Sequence, residues 1–284
     1  MLSYRHAFHA GSHADVLKHS ALLLMLDYLK QKDKPFWYID THAGAGRYRL
    51  QDAEAQKTRE FETGIARLWS RSDLPESLQV YCDSVRAQNG GGDLRFYPGS
   101  PLFAAHSLRA QDRLRLFELH PQDYTILGHV FAKDRRAMLA REDGLAGLKA
   151  LLPPLSRRAL VLIDPPYEQP SEYRQVVEAL KDALRRFPGG TYALWYPLLE
   201  QTDAKRLPQK LAGLGCESTL RVELRVRAPT ARPELKNGGM YGSGLFVINP
   251  PWTLAAQLRE MLPYLVDVLK EDNSADWRVD VVGN

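Results

Sequence analysis

An acid, two prolines and an aromatic, Asp164-Pro165-Pro166-Tyr167, follow directly on the aliphatic run "RALVLI". Proline fixes φ near −65° and has no N–H, so this backbone is rigid and offers only carbonyl acceptors. An –NH2 group entering there meets the Asp164 carboxylate and the Pro165 carbonyl. Such acceptors localise the lone pair of an exocyclic amine, which is otherwise delocalised into its base. The ring of Tyr167 offers a stacking face to the same base, worth about 1–3 kcal/mol. Taken alone, the motif is also what a strand stop followed by a Pro-Pro turn looks like.

Three further features suggest what the amine would react with. "DTHAGAG" places Gly44 and Gly46 where backbone can approach a ligand closely. The G-x-G-x-x-G dinucleotide fingerprint is incomplete, because Arg49 stands where its third glycine would be. Glu118 closes the run "RLRLFE" and suits a ribose diol, which needs an acceptor for two hydroxyls. Asp143, in "EDG", suits an adenine amino group. An adenosyl ligand without a pyrophosphate fits this set, and S-adenosylmethionine is the expected cofactor. Nucleophilic attack on its methyl group makes the amine nitrogen cationic, and the Asp164 carboxylate stabilises that charge.

These residues need a scaffold that brings strand ends together. Strand-like and helix-like segments alternate, which predicts an α/β fold with a mostly parallel sheet. The expected strands are 35–40, 113–119, 136–144, 158–164, 191–197, 216–226 and 243–252. In such a sheet ligands bind beyond the carboxyl ends of the parallel strands, where Asp164, Glu118, Asp143 and the glycine loop would all lie. Residues 41–112 separate the first two strands, more than a crossover helix needs, and 51–93 is read as a small helical insertion within a single domain, 1–284. "INPPW" (248–252) repeats the acid/amide-Pro-Pro-aromatic pattern. If its strand is antiparallel, Asn249 and Trp252 fall at the wrong edge of the sheet and form only a turn.

The bulk numbers exclude more than they assign. At 284 residues, with 44% hydrophobic and 25% charged side chains, the chain can bury a proper core. The run "ALLLML" is too short to span a bilayer, and the first residues lack a signal-peptide layout. Cys82 and Cys216 have no metal or redox spacing, so a cytoplasmic protein is expected. A net charge of +4 and a pI near 9.0 permit a polyanionic partner.

With these motifs in place, the chain resembles the bacterial 23S ribosomal RNA adenine-N6-methyltransferases of the J type. The likeness spans "MLSYRHAFHAGSHADVLKH", "DTHAGAGRY", "YPGSP", "ELHP", "LIDPPYE", "YALWYP" and "INPPW", over essentially the whole chain. The resemblance implies a Rossmann-like methyltransferase core with a seven-stranded sheet and a helical insertion, using S-adenosylmethionine to methylate an adenine of 23S rRNA. It implies cofactor contacts at His19, His42, Ser100, Glu118, Asp143, Gly144 and Asp164, a catalytic role for Asp164, and a substrate-side place for Tyr4. No metal is implied, and a monomer is expected. Contacts within 227–244 are not carried over.

Several residues have competing readings. His6, His9, His13 and His19 crowd the N-terminus, where a polar pocket lining is preferred to a metal site. Lys18 is read as a partner for the cofactor's carboxylate or as an exposed helix lysine. Arg5 is expected to reach phosphate. Arg221, Arg225, Arg227, Arg232 and Lys236 form a basic stretch, either a solvated face or a phosphate contact. The nearest functional alternative is a DNA adenine methyltransferase, since the same pocket serves a flipped DNA base. A protein glutamine methyltransferase would call for Asn rather than Asp before the prolines, and a vestigial RNA-binding module would not need Asp164 and Glu118 intact.

Overall fold

A computed structural model describes residues 4–229 and 239–283 of the chain. Ten strands lie among them: β1 (Trp37–Asp40), β2 (Arg47–Arg49), β3 (Phe96–Pro98), β4 (Arg113–Phe117), β5 (Ala137–Ala140), β6 (Ala159–Ile163), β7 (Thr191–Leu198), β8 (Thr219–Arg225), β9 (Gly242–Ile248) and β10 (Asp276–Val282). The helices are α1 (His13–Lys30), α2 (Ala53–Thr58), α3 (Glu60–Thr63), α4 (Ala66–Trp69), α5 (Glu76–Gln88), α6 (Ser100–Ser107), α7 (Pro121–Val130), α8 (Gly144–Leu151), α9 (Glu172–Arg186), α10 (Thr202–Ala212) and α11 (Leu254–Leu269).

The main sheet has the order β10-β8-β9-β7-β6-β1-β4-β5. Five adjacent strands, β7, β6, β1, β4 and β5, are parallel, and β9 runs antiparallel between β7 and β8. The sheet therefore has eight strands rather than seven. The additional one, β10, pairs antiparallel with β8 at the edge. Its residues are mostly half-exposed or exposed, so "DWRVDVV" carries too little apolar alternation to stand out; only Trp277 and Val279 pack on the core.

Side chains alternate between two cores, as the pleat requires. Tyr38, Leu114, Leu116, Leu160 and Leu162 face α1, α6 and α11, while Ile39, Val161, Ile163 and Leu194 face the helices α8, α9 and α10. Leu78, Tyr81, Cys82 and Val85 of α5 belong to the first core, so the helices between β2 and β3 close over the outer side of α1. β2 and β3 form a separate two-stranded antiparallel ribbon at the start and end of that helical segment.

α1 is buried along almost its whole length, including Asp15, Lys18 and His19. Burying charge in a helix interior is costly unless the charges are paired, and the partners lie at the sheet's carboxyl edge. β1 sits between β4 and β6, so the ends that carry Asp164, Asp40 and Glu118 are neighbours, with Asp143 just beyond β5.

Candidate active site

A cavity of about 250 Å³ opens at the carboxyl ends of β6, β1, β4 and β5. Tyr4, His19, His42, Ser100, Glu118, Asp143, Gly144 and Asp164 all line it. The loop after β1 forms its floor. Gly44 and Gly46 take φ of +62° and +77°, which side chains with a Cβ rarely adopt, and a Cβ at Gly44 would lie 2.2 Å from the Tyr48 hydroxyl oxygen. Glu118 accepts the Gly44 N–H at 2.8 Å and the His120 N–H at 2.6 Å. Burial raises its carboxyl to about 7 despite those two donors.

Asp40, fully buried at the end of β1, organises the neighbouring wall. It accepts from the Tyr38 hydroxyl and the Ser100 hydroxyl, both at 2.7 Å, and from the His42 N–H at 3.2 Å. Burial lifts its carboxyl to about 6. Ser100 thus gives its proton to Asp40, which leaves its oxygen free to act only as an acceptor. His42 bonds Thr41 through Nδ1 at 2.8 Å, and burial lowers it to about 4, leaving a neutral imidazole at neutral pH. His19 bonds the Tyr97 hydroxyl at 2.8 Å and is held well below the usual histidine range by burial.

Asp143 and Gly144 have architectural duties at the same place. Asp143 caps α8: its Oδ1 accepts from the N–H groups of Leu145 (2.8 Å) and Ala146 (3.3 Å), while Oδ2 has no hydrogen-bond partner among the described residues. A Cβ at Gly144 would fall 2.2 Å from the Thr41 carbonyl oxygen, so this glycine lets α8 pack against the β1 loop.

Asp164 emerges where β6 ends. Its Oδ2 accepts the Lys18 ammonium at 2.6 Å, and Lys18 also reaches Asp15 at 2.8 Å. Asp15 in turn holds His6 at 2.9 Å and the Gly11 N–H at 2.9 Å. Burial alone would discharge the Lys18 ammonium, but Asp15 and Asp164 hold its pKa above the ordinary lysine value. Asp15 itself lies well below the carboxylate range, because His6 and Lys18 overcome its burial. Asp164 Oδ1 has no hydrogen-bond partner among the described residues, and Asp164, Pro165 and Pro166 all line the cavity. Tyr4 approaches from the N-terminal segment, its hydroxyl 3.0 Å from His6 Nδ1 and its ring stacked on His9 at 5.6 Å.

Four expectations change. Tyr167 does not line the cavity. Its φ of +50° turns the ring inward, where it is 8% exposed, lies 4.5 Å from Tyr173 and donates to the Trp195 carbonyl at 3.0 Å. Lys18 is neither exposed nor free to meet a cofactor carboxylate, since Asp15 and Asp164 take it. Arg5 pairs with Glu54 (2.8 Å) and Asp123 (3.2 Å) instead of reaching outward. Within the basic stretch, Arg221 pairs with Glu223, Arg225 with Asp276 and Arg227 with Glu271; Arg232 and Lys236 lie outside the described residues.

The second Pro-Pro motif sits where an antiparallel strand must put it. Ile248 pairs with Tyr192 near the start of β7, so Asn249 lies at the amino edge of the parallel strands. Its amide donates to the carbonyls of Pro188 and Gly190, both at 2.7 Å, and Trp252 is exposed. Asp15 and Asp40 were missed from sequence, although each had a signal. Asp15 precedes Lys18 and His19 by three and four residues on one helix face, and Asp40 is the acid that ends β1.

A family model described as "Ribosomal RNA large subunit methyltransferase D, RlmJ" matches residues 33–282. The chain is 49% identical to the Ribosomal RNA large subunit methyltransferase J of Haemophilus influenzae, covering 99% of this chain and 98% of the relative. It is 51% identical to the enzyme of the same name from Escherichia coli (strain K12), with 93% of each covered. A crystal structure of a Legionella pneumophila protein superposes with a TM-score of 0.88 at 37% identity, covering 96% of this chain and 98% of that one. Matched over nearly its full length, the chain belongs to the RlmJ family of ribosomal RNA large subunit methyltransferases.

Proposed function

We propose that this protein transfers a methyl group from S-adenosylmethionine to the exocyclic N6 of an adenine in 23S rRNA, with Asp164 as the catalytic residue. The observation that carries the site assignment is the state of that carboxylate. Lys18 binds one oxygen, while the other has no hydrogen-bond partner among the described residues, and Asp164 lines the cavity together with Pro165 and Pro166. The relatives are named for ribosomal RNA, which supports RNA as the substrate over the DNA alternative.

The cavity's residues fit an adenosyl group. Gly44 brings bare backbone to the wall, Glu118 supplies a half-buried carboxylate for ribose hydroxyls, and Asp143 keeps one oxygen for an adenine amino group. His19, His42, Ser100 and Gly144 shape the remaining wall. Bound there, S-adenosylmethionine supplies an electrophilic methyl group. Asp164 accepts an N–H from the target N6, keeps its lone pair from delocalising, and stabilises the positive charge that grows on nitrogen. Lys18 serves as a positioning residue: it pairs with Asp164 Oδ2 and so fixes which oxygen is left for the base. Tyr4 covers the substrate side, where an aromatic ring offsets part of the cost of unstacking the adenine.

The helical segment 51–93 is an insertion subdomain on this core, and the enzyme acts as a cytoplasmic monomer on free or partly assembled rRNA. The test is transfer of labelled methyl from S-adenosylmethionine to transcribed 23S rRNA, to DNA and to assembled subunits, with the product nucleotide mapped. N6-methyladenosine in rRNA, lost with Asp164→Ala, is the expected result. Modification of DNA alone, or full activity in Asp164→Ala, overturns the reading.

A further inference from the structure

Acids outnumber cations on the cavity lining: with Asp123 held by Arg5 and Glu118 raised to about 7, the lining still carries Glu142, Asp143, Asp164 and Glu172 beside one ammonium, Lys18, which is shared with Asp15. A lining of this sign suits a cationic cofactor and repels a polyanion. An RNA strand that delivers one base into the cavity must therefore be gripped outside the mouth.

The β2–β3 ribbon stands at that rim. Its first strand follows Gly46 of the cavity loop, and its second leads into Gly99 and Ser100, which line the cavity. The two ends are tied by the Gly99 N–H to the Gly46 carbonyl at 2.8 Å. Tyr48 and Tyr97 pair across the inner face and are buried. The outer face carries Arg47, Arg49 and Phe96. The guanidinium carbons lie 3.8 Å and 5.8 Å from the Phe96 ring centroid. Both arginines are exposed, and neither makes a hydrogen bond or ion pair among the described residues, unlike Arg5, Arg221, Arg225 and Arg227. Stacking holds a planar fork in place while leaving its N–H edge open, the arrangement that phosphate recognition uses.

We infer that Arg47 and Arg49 form a phosphate-binding ridge that anchors the rRNA backbone beside the cavity mouth. This rests on RNA being the substrate. The test is steady-state methylation and RNA binding by Arg47→Gln/Arg49→Gln across a salt series, with cofactor affinity and thermal unfolding measured alongside. Arg115→Gln is the control: that guanidinium also stacks on an aromatic, Trp37 at 4.3 Å, but on the main sheet, away from the ribbon.

The double variant is expected to raise the KM for RNA about tenfold or more with kcat little changed. It should also flatten the log–log salt dependence of binding by roughly 1.4–1.8, as two lost phosphate contacts require. Cofactor affinity and the Arg115→Gln control stay at wild type, and Arg47→Lys/Arg49→Lys restores the salt slope. Wild-type KM and salt slope in the folded double variant overturn the ridge alone. Loss of cofactor binding together with RNA binding also overturns it, by exposing a merely structural role. A wild-type enzyme that does not methylate rRNA overturns both the ridge and the reading beneath it.

Discussion

Glu118 has the most informative titration in the cavity. Its carboxyl is raised to about 7, chiefly by burial, so the folded protein holds this proton more tightly than the unfolded chain. Its contribution to stability is therefore greatest below the ordinary glutamate range and is lost as pH rises toward 7. Ribose hydroxyls donate to a carboxylate, so cofactor binding should pull the value down. We expect proton release on binding near pH 7 and tighter binding at pH 8 than at pH 6. Calorimetry in buffers of different ionisation enthalpy reads the proton directly. Glu118→Gln should abolish the release, which separates it from Asp40, raised to about 6 nearby. Glu118→Ala should weaken the cofactor by about 1.5–3 kcal/mol, the value of hydrogen bonds to a charged group. Proton uptake, or unchanged affinity in a folded Glu118→Ala, would remove Glu118 from the site.

Two other single residues separate the paired motifs. Asp164→Ala should abolish methyl transfer in single-turnover assays while the protein stays folded. Asn249→Ala should leave that step intact and lower stability, because its amide ties two carbonyls at the opposite edge. The reverse pattern would contradict the strand directions.

At the scale of elements, we expect the N-terminal segment before α1 to act as a wall of the site rather than a cap. Its Tyr4 and His6 contacts run through Asp15 of α1 to the Lys18–Asp164 pair, and Arg5 clamps it to Glu54 and Asp123. Tyr4→Ala should slow single-turnover methylation strongly and shift the melting temperature little. A lowered melting temperature with undiminished turnover of the folded fraction would make Tyr4 a packing residue. The DPPY turn is a second such element. Tyr167 holds a left-handed backbone, costly for an aromatic residue, and buries its ring against Tyr173 while its hydroxyl donates to the Trp195 carbonyl. Its contribution is rigidity beneath the acceptor, not a stacking face above it.

For the whole molecule, the cavity is built from loops after four neighbouring strands plus α1, so occupying it links parts of the chain distant in sequence. Cofactor at a hundredfold excess over its Kd should stabilise the fold by about 2.7 kcal/mol. At this size that raises Tm by roughly 5 °C, readable by scanning fluorimetry. Asp143 ties α8 to the same wall through its cap, so Asp143→Ala should lower Tm even without cofactor, by about 1 kcal/mol of lost capping.

The succession of the main strands along the chain and the acids that end them were legible in the sequence. A buried parallel strand reads as an aliphatic run, and what interrupts it, Asp164-Pro165-Pro166, Glu118 or "DTHAGAG", is local by necessity. The direction of β9, which decides whether Asn249 meets the cavity, is left as a condition by the sequence alone and is set by its antiparallel pairing with β7 and β8. What sequence could not decide was which groups are already taken. Lys18 looks free on a helix wheel, and only packing α1 against the sheet edge brings Asp164 to 2.6 Å. Tyr167 looks available until the backbone at φ +50° turns it under. The edge strand β10 gave no clear pattern, because half of a strand that faces water needs no apolar residues. Composition records which groups can pair, but ion pairs and burial depend on distances between residues far apart in the chain, and those are set only when the two cores close.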